Sequence, residues 1–188
     1  NDVPVLRLKC RGAVKTDRLN YDNEGIISMP AAYAVRKPGK GGEITLGEGG
    51  YTDNFNPQTG SLEFKFNVAT PGDYEIRLCT SRHWRRSFLK DTYVTVKVDN
   101  KKAEKVLLTE TEMYRNVRSK SYPESWSALT TVEIKEPGEH TITLAVDKLG
   151  TFTKEGFYGE YTEGESDNNI RVMRVEAHLV GTPQQHAD

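Results

Sequence analysis

The chain has 188 residues, with 26 Lys and Arg against 27 Asp and Glu, for a net charge of −1. That balance excludes a global field drawing it to nucleic acid or an anionic membrane, and no apolar run approaches the ~18 residues of a membrane-spanning helix. The length makes one domain the default, assigned to residues 1–180 with a frayed tail at 181–188.

In chain order, residues 3–11 (VPVLRLKCR) read as an opening strand with Leu6, Leu8 and Cys10 inward. Residues 12–34 are less regular: 21–25 form a turn, and Pro30 argues against a central strand in the apolar run IISMPAAYAV. A loop at 37–42 and a short strand at 43–46 lead into a long Gly- and Asn-rich loop, 47–60, carrying Tyr51 and Phe55.

The clearest stretch is 60–80. Leu62, Phe64, Phe66 and Val68 alternate with polar residues; after the turn Thr70-Pro71-Gly72-Asp73, Tyr74, Ile76 and Leu78 do the same. This pattern predicts a β-hairpin. A connection at 81–90 carries Trp84 and the cations Arg82, Arg85, Arg86 and Lys90. Val94, Val96 and Val98 define the next strand, Asp99-Asn100 turns it, and 104–108 returns. Residues 109–127 read as a polar connection with Tyr114, Tyr122 and Trp126.

Strands at 130–135 and 140–147 flank Pro137-Gly138, with Val132, Ile134, Ile142, Leu144 and Val146 inward. An acidic, aromatic loop, 149–169, contains Phe157, Tyr158 and Tyr161. The final strand, 170–180, changes phase: Ile170 and Val172 share one parity, Val175, Ala177 and Leu179 the other. A single-residue bulge near Met173 reconciles them. About nine short strands and no sustained 3.6-residue period predict an all-β fold, a two-sheet antiparallel sandwich.

No G-x-S-x-G, H-E-x-x-H, Walker loop or Cys-x-x-Cys is present. Glu160, Glu163 and Glu165 fall in a predicted loop, which does not fix the ~5–9 Å carboxyl separation that glycoside hydrolysis requires. His83, His140, His178 and His186 are scattered. Cys10 and Cys79 permit one disulfide without requiring it, and their strand parities differ. Binding has more support, because the long loops carry the aromatics. A sugar's flat C–H face stacks on such rings while Asn, Asp, Arg and Glu satisfy its hydroxyls; the bland alternative is that the rings plug the sandwich ends. The cations around Arg85 fit an oxyanion, or a solvated basic loop paired with the acidic loop.

The segments EGGYTDNF…GSLEFKFNVATPGDYEIRLCTS, WSALTTVEI, EPGEHTITL and NNIRVMRVEA occur in an order that resembles family-6 and family-35 carbohydrate-binding modules over roughly residues 43–180. That resemblance implies a galactose-binding-like jelly roll of the kind appended to bacterial glycoside hydrolases, including α-fucosidases, and to sulfatases. It implies stacking rings at Tyr51 and Trp126 and a terminal-loop Asn at Asn168 or Asn169. With Trp84, Arg85 and Tyr158 from the loop reading, these are the candidate carbohydrate-binding residues. The chain departs from the pattern where Gly60-Ser61-Leu62 replaces a G-D-W. LRLKC opens it where calcium-ligating Glu residues are usual, and Arg171 stands where an Asp would help hold the ion. Calcium needs oxygen ligands, so the usual calcium site is expected to be lost, with no other cofactor.

Taken with the loop aromatics, that resemblance implies a non-catalytic carbohydrate-binding or accessory module of a secreted, periplasmic or cell-surface bacterial glycan-processing protein, with a polysaccharide or glycan as ligand and a linked catalytic domain as a further partner. The alternatives are a ligand-free structural or protein-interaction sandwich and a small jelly-roll glycanase or lyase.

Overall fold

The computed structural model describes residues 22–23, 25–81, 89–109, 112–114, 124–152 and 169–181. In chain order these form β1 (Asp22–Asn23), β2 (Ile26–Pro30), β3 (Val35–Pro38), β4 (Thr45–Leu46), β5 (Thr52–Asp53), β6 (Gly60–Val68), β7 (Gly72–Ser81) and β8 (Leu89–Lys90). Then come β9 (Tyr93–Val98), β10 (Glu104–Leu107), β11 (Glu112–Tyr114), β12 (Glu124–Ile134), β13 (Gly138–Lys148), β14 (Thr151–Phe152) and β15 (Val172–Leu179). A short 3-10 turn, Ala31–Tyr33, joins β2 to β3.

One sheet has the order β1-β2-β15-β7-β12-β11 and the other β10-β9-β13-β6-β3; β4-β5 and β14-β8 are two-stranded ribbons. All pairs are antiparallel. Apolar residues from both sheets meet in one core. Leu62, Phe64, Phe66, Val94, Val96, Ile142 and Leu144 come from the second sheet; Ile27, Ile76, Leu78, Val132, Ile134, Val175 and Ala177 come from the first. The sandwich and its inward-facing residues match the alternation in the sequence.

The predicted hairpin at 60–80 is corrected. β6 pairs with β13 and β3, whereas β7 pairs with β12 and β15, in the other sheet. The Pro71-Gly72 turn therefore carries the chain across the core, so the two apolar faces confront each other instead of lying side by side. Pro137-Gly138 likewise joins β12 to β13 across the sandwich. Asp99-Asn100 does close a true hairpin, β9 with β10. Asp99 then fastens that hairpin to β13: its carboxylate accepts from Thr141 N–H at 2.8 Å and meets His140 Nδ1 at 2.8 Å.

The expected strand at 43–46 reduces to β4, whose partner β5 lies inside what the sequence shows only as a loop. Phe55, counted among the loop rings, is fully buried. The predicted bulge is present: the β15–β7 register shifts between Val172 and Arg174. A second shift, between Ala128 and Thr130 of β12, lies on the other side of β7. The opening strand with Cys10 and the tail from 182 onward lie outside the described residues.

Candidate functional site

At the sandwich end where β15 begins, β5 is fastened to residues 170–172. Thr52 is fully buried; its Oγ1 accepts from Val172 N–H at 2.9 Å and donates to the Ile170 carbonyl at 3.3 Å. Ile170 N–H donates to the Phe55 carbonyl at 2.8 Å. With Thr52, Ile170 and Val172 buried, the alternate residues Tyr51, Asp53, Asn169 and Arg171 remain partly exposed. The Asn169 amide donates to Asp53 Oδ1 at 3.3 Å, and the Arg171 guanidinium lies 5.4 Å from the Tyr51 ring centre.

The glycine run before Tyr51 has a local cause. Gly47 N–H bonds the Tyr51 carbonyl at 2.9 Å and Gly50 N–H the Gly47 carbonyl at 3.0 Å. Gly50 takes a φ of 75°, which a side chain resists. A Cβ at Gly47 would stand 2.5 Å from the Tyr51 ring, so glycine lets the ring fold back over its own loop.

Trp126 is corrected from a connection to a strand. It lies in β12, opposite Cys79 of β7, which in turn faces Arg174 of β15. Simple alternation gives Trp126 the same parity as Val132 and Ile134. The register shift after Ala128 turns the ring to the outer face while those two remain in the core. Arg174 and Arg77 place their guanidinium carbons 4.8 and 5.8 Å from the Trp126 ring centre. Arg171 and Arg174 flank the bulged Val172–Met173 pair, so two guanidinium–ring pairs follow one another along the start of β15.

Beside them, Glu176 accepts from Arg174 Nε at 3.1 Å and pairs with His178 Nε2 at 2.8 Å. Burial pushes its carboxyl up, but the His178 hydrogen bond and the charges of Arg174 and His178 outweigh this and hold it below the ordinary value of 4.5. A lowered folded-state value favours the carboxylate in the native chain, so the stabilisation is present above about pH 4.5 and lost as pH falls through the folded value. Urea unfolding between pH 7 and 3 is expected to show wild type losing stability below pH 4.5 more steeply than Glu176→Gln. Equal acid slopes would refute the assignment.

Of the candidate residues, the structure brings Tyr51 and Asn169 together and sets Trp126 on the adjoining outer face; Trp84, Arg85, Tyr158 and Asn168 lie outside the described residues, as do Arg82, Arg86 and Glu160, Glu163 and Glu165. Asp53, Arg77, Arg171 and Arg174 were not singled out by sequence as binding groups. Arg171, read only as the loss of a calcium ligand, lies over Tyr51. A guanidinium there does not fit a calcium site, and no three Asp, Glu, His or Cys side chains gather to hold a metal among the described residues. At the opposite end, a cleft of about 280 Å³ has Val98, Val132 and Ile134 in its lining. Its polar groups bond one another: His140 with Asp99, and Lys101 with the Glu133 carbonyl.

No family model matches the chain, and no curated protein does. Solved structures do. An α-L-fucosidase from Vibrio sp. strain EJY3 matches at a TM-score of 0.51 with 11% identity, covering 85% of this chain and 23% of that one. The Podospora anserina GH26-CBM35 β-(1,4)-mannanase matches at 0.51 with 14% identity, covering 87% of this chain and 30% of that one. The likeness is one of fold. What is shared is the β-sandwich, and the chain spans under a third of each of these two proteins. No helix among the described residues is long and apolar enough to cross a membrane.

Proposed function

We propose that this sandwich is a non-catalytic carbohydrate-binding module of a secreted bacterial glycan-processing protein, with its ligand site at the start of β15. The observation that carries the proposal is the corner held by Thr52. There the half-exposed Tyr51 ring, with the Arg171 guanidinium 5.4 Å from its centre, shares a corner with the Asp53–Asn169 pair, an aromatic surface beside hydrogen-bonding groups. That combination suits a pyranose, whose C–H face packs on an aromatic ring while its hydroxyls need donors and acceptors. Trp126, under Arg174 and Arg77, extends the surface along the outer sheet. The names of the two matched enzymes support the reading, one acting on fucosides and one on β-(1,4)-mannan, the latter carrying a CBM35. The short span of the match supports a catalytic domain elsewhere in the same protein. A single module of this kind binds weakly, and linkage raises the effective concentration.

A polysaccharide and oligosaccharide array tests it. Wild type is expected to be retained on a defined subset of spots, and Tyr51→Ala to weaken that retention by about tenfold or more, on the order of 1.4 kcal/mol. Indifference of wild type to every spot would reject the function. Tyr51→Ala binding like wild type would move the site elsewhere. The half-buried Trp126 beneath two guanidinium groups favours a second reading, a ligand-free interaction module, whose signature is dimer formation without glycan binding.

A further inference from the structure

Tyr33 is 69% exposed, the most exposed large apolar side chain among the described residues. A single exposed ring is ordinary on a protein surface, so its setting decides what it does. β2 ends at Pro30, opposite Arg174 of β15. The chain then turns through Ala31–Tyr33 and leaves for the other sheet as β3, where Val35 faces Glu63 of β6. Continued past Pro30, the antiparallel count carries this turn toward Arg171, and the turn packs on β15. A Cβ built on Gly50 would have Ala32 Cβ as its nearest neighbour, at 4.0 Å. The turn bearing Tyr33 therefore adjoins the turn bearing Tyr51.

The turn that displays the ring is also anchored. Ala34 N–H closes the turn on the Ala31 carbonyl at 3.2 Å, and Ala31 and Ala34 are buried at its two ends. Ala32 and Gly50 are too small to crowd the approach. A rigid turn displaying an aromatic ring loses little entropy when it binds, because tyrosine has only two side-chain torsions to fix.

We propose that Tyr33 is a second stacking platform of the glycan site, taking the sugar unit that follows the one on Tyr51. The site then recognises a chain of linked sugars, not an isolated terminal unit. This rests on the glycan-binding reading above.

The test uses the purified chain and its Tyr33→Ala, Tyr33→Phe and Tyr51→Ala variants. The probe is one array bearing mannan, galactan, xylan, dextran and arabinogalactan beside their component monosaccharides, which are too short to reach the second ring. Tyr33→Ala is expected to bind the polysaccharide spots about tenfold more weakly, with unchanged signals on the small sugars. Tyr33→Phe should retain both signals, and the melting temperature should not move, since the ring is exposed. If Tyr33→Ala matches wild type on polysaccharides while Tyr51→Ala loses them, this inference fails and the binding function stands. Equal losses on polymers and small sugars would also overturn it, by removing the separate subsite. A wild-type chain that ignores every spot rejects the function and the inference together.

Discussion

Gly60→Ala is expected to destabilise the chain by about 3–5 kcal/mol, the sum of backbone strain and a collision that no side chain can relieve. Gly60 opens β6 with φ at 104°, a region that residues with a Cβ avoid. A Cβ there would stand 2.0 Å from the Lys37 carbonyl oxygen and 2.7 Å from Gly39 N. Both are backbone atoms, so relief requires edge strand β3 to move off β6 at the Pro38–Gly60 pair. That movement also strains the bonds from Gly39 N–H to the Thr59 carbonyl and from Gly41 N–H to the Gln58 carbonyl. Gly138 provides the control. Its φ is 134°, yet a Cβ there would meet nothing within 4 Å, so Gly138→Ala should cost only the strain, about 1–2 kcal/mol. Urea unfolding of both variants separates the two contributions, and equal losses would show that the close approach at Gly60 is inconsequential.

The same packing logic explains which features were legible in the sequence. Alternation in 62–68 and 74–78 reports which side chains face the core, and all seven of those apolar residues are buried. It does not report which strand lies alongside. A Pro-Gly break between two alternating runs is equally consistent with a hairpin and with a crossing between sheets, so alternation alone does not separate the hairpin expected at 60–80 from the crossing found there. The Met173 bulge was legible because buried residues change parity across it. The β12 shift was harder to see, since Trp126, Val132 and Ile134 share one parity and Leu129 is the apolar core residue of β12 that breaks it.

At the proposed site, Tyr51 and Asn169 could be named from the resemblance alone. The Arg171–Tyr51 contact could not, because it joins residues far apart in sequence that are neighbours only after β5 docks on β15. Tyr33 carried a weaker local signal. Pro30 marks the point where the chain must leave the sheet, and a residue just beyond such a point has fewer strands to cover it.

Thr52→Val should link fold and site in one experiment. Valine keeps the shape and removes the hydroxyl, leaving Val172 N–H and the Ile170 carbonyl without that partner in a buried setting. An unsatisfied buried group costs about 1–3 kcal/mol, so a loss of roughly 2–4 kcal/mol is expected. The functional loss should be larger than unfolding explains, because this hydroxyl fixes 51–53 against 169–172. Loosening it separates Tyr51 from Arg171 and Asp53 from Asn169, while the Ile170–Phe55 backbone bond still holds the segment near the core. Measured at a temperature where the variant remains folded, retention on the wild-type array spots should fall at least about tenfold. Thr52→Ser, which restores the hydroxyl without the methyl, should recover binding more fully than stability, since the lost methyl leaves a small cavity. Thr52→Val that binds like wild type while losing stability would show that the corner is a structural clasp and that the ligand meets the chain elsewhere.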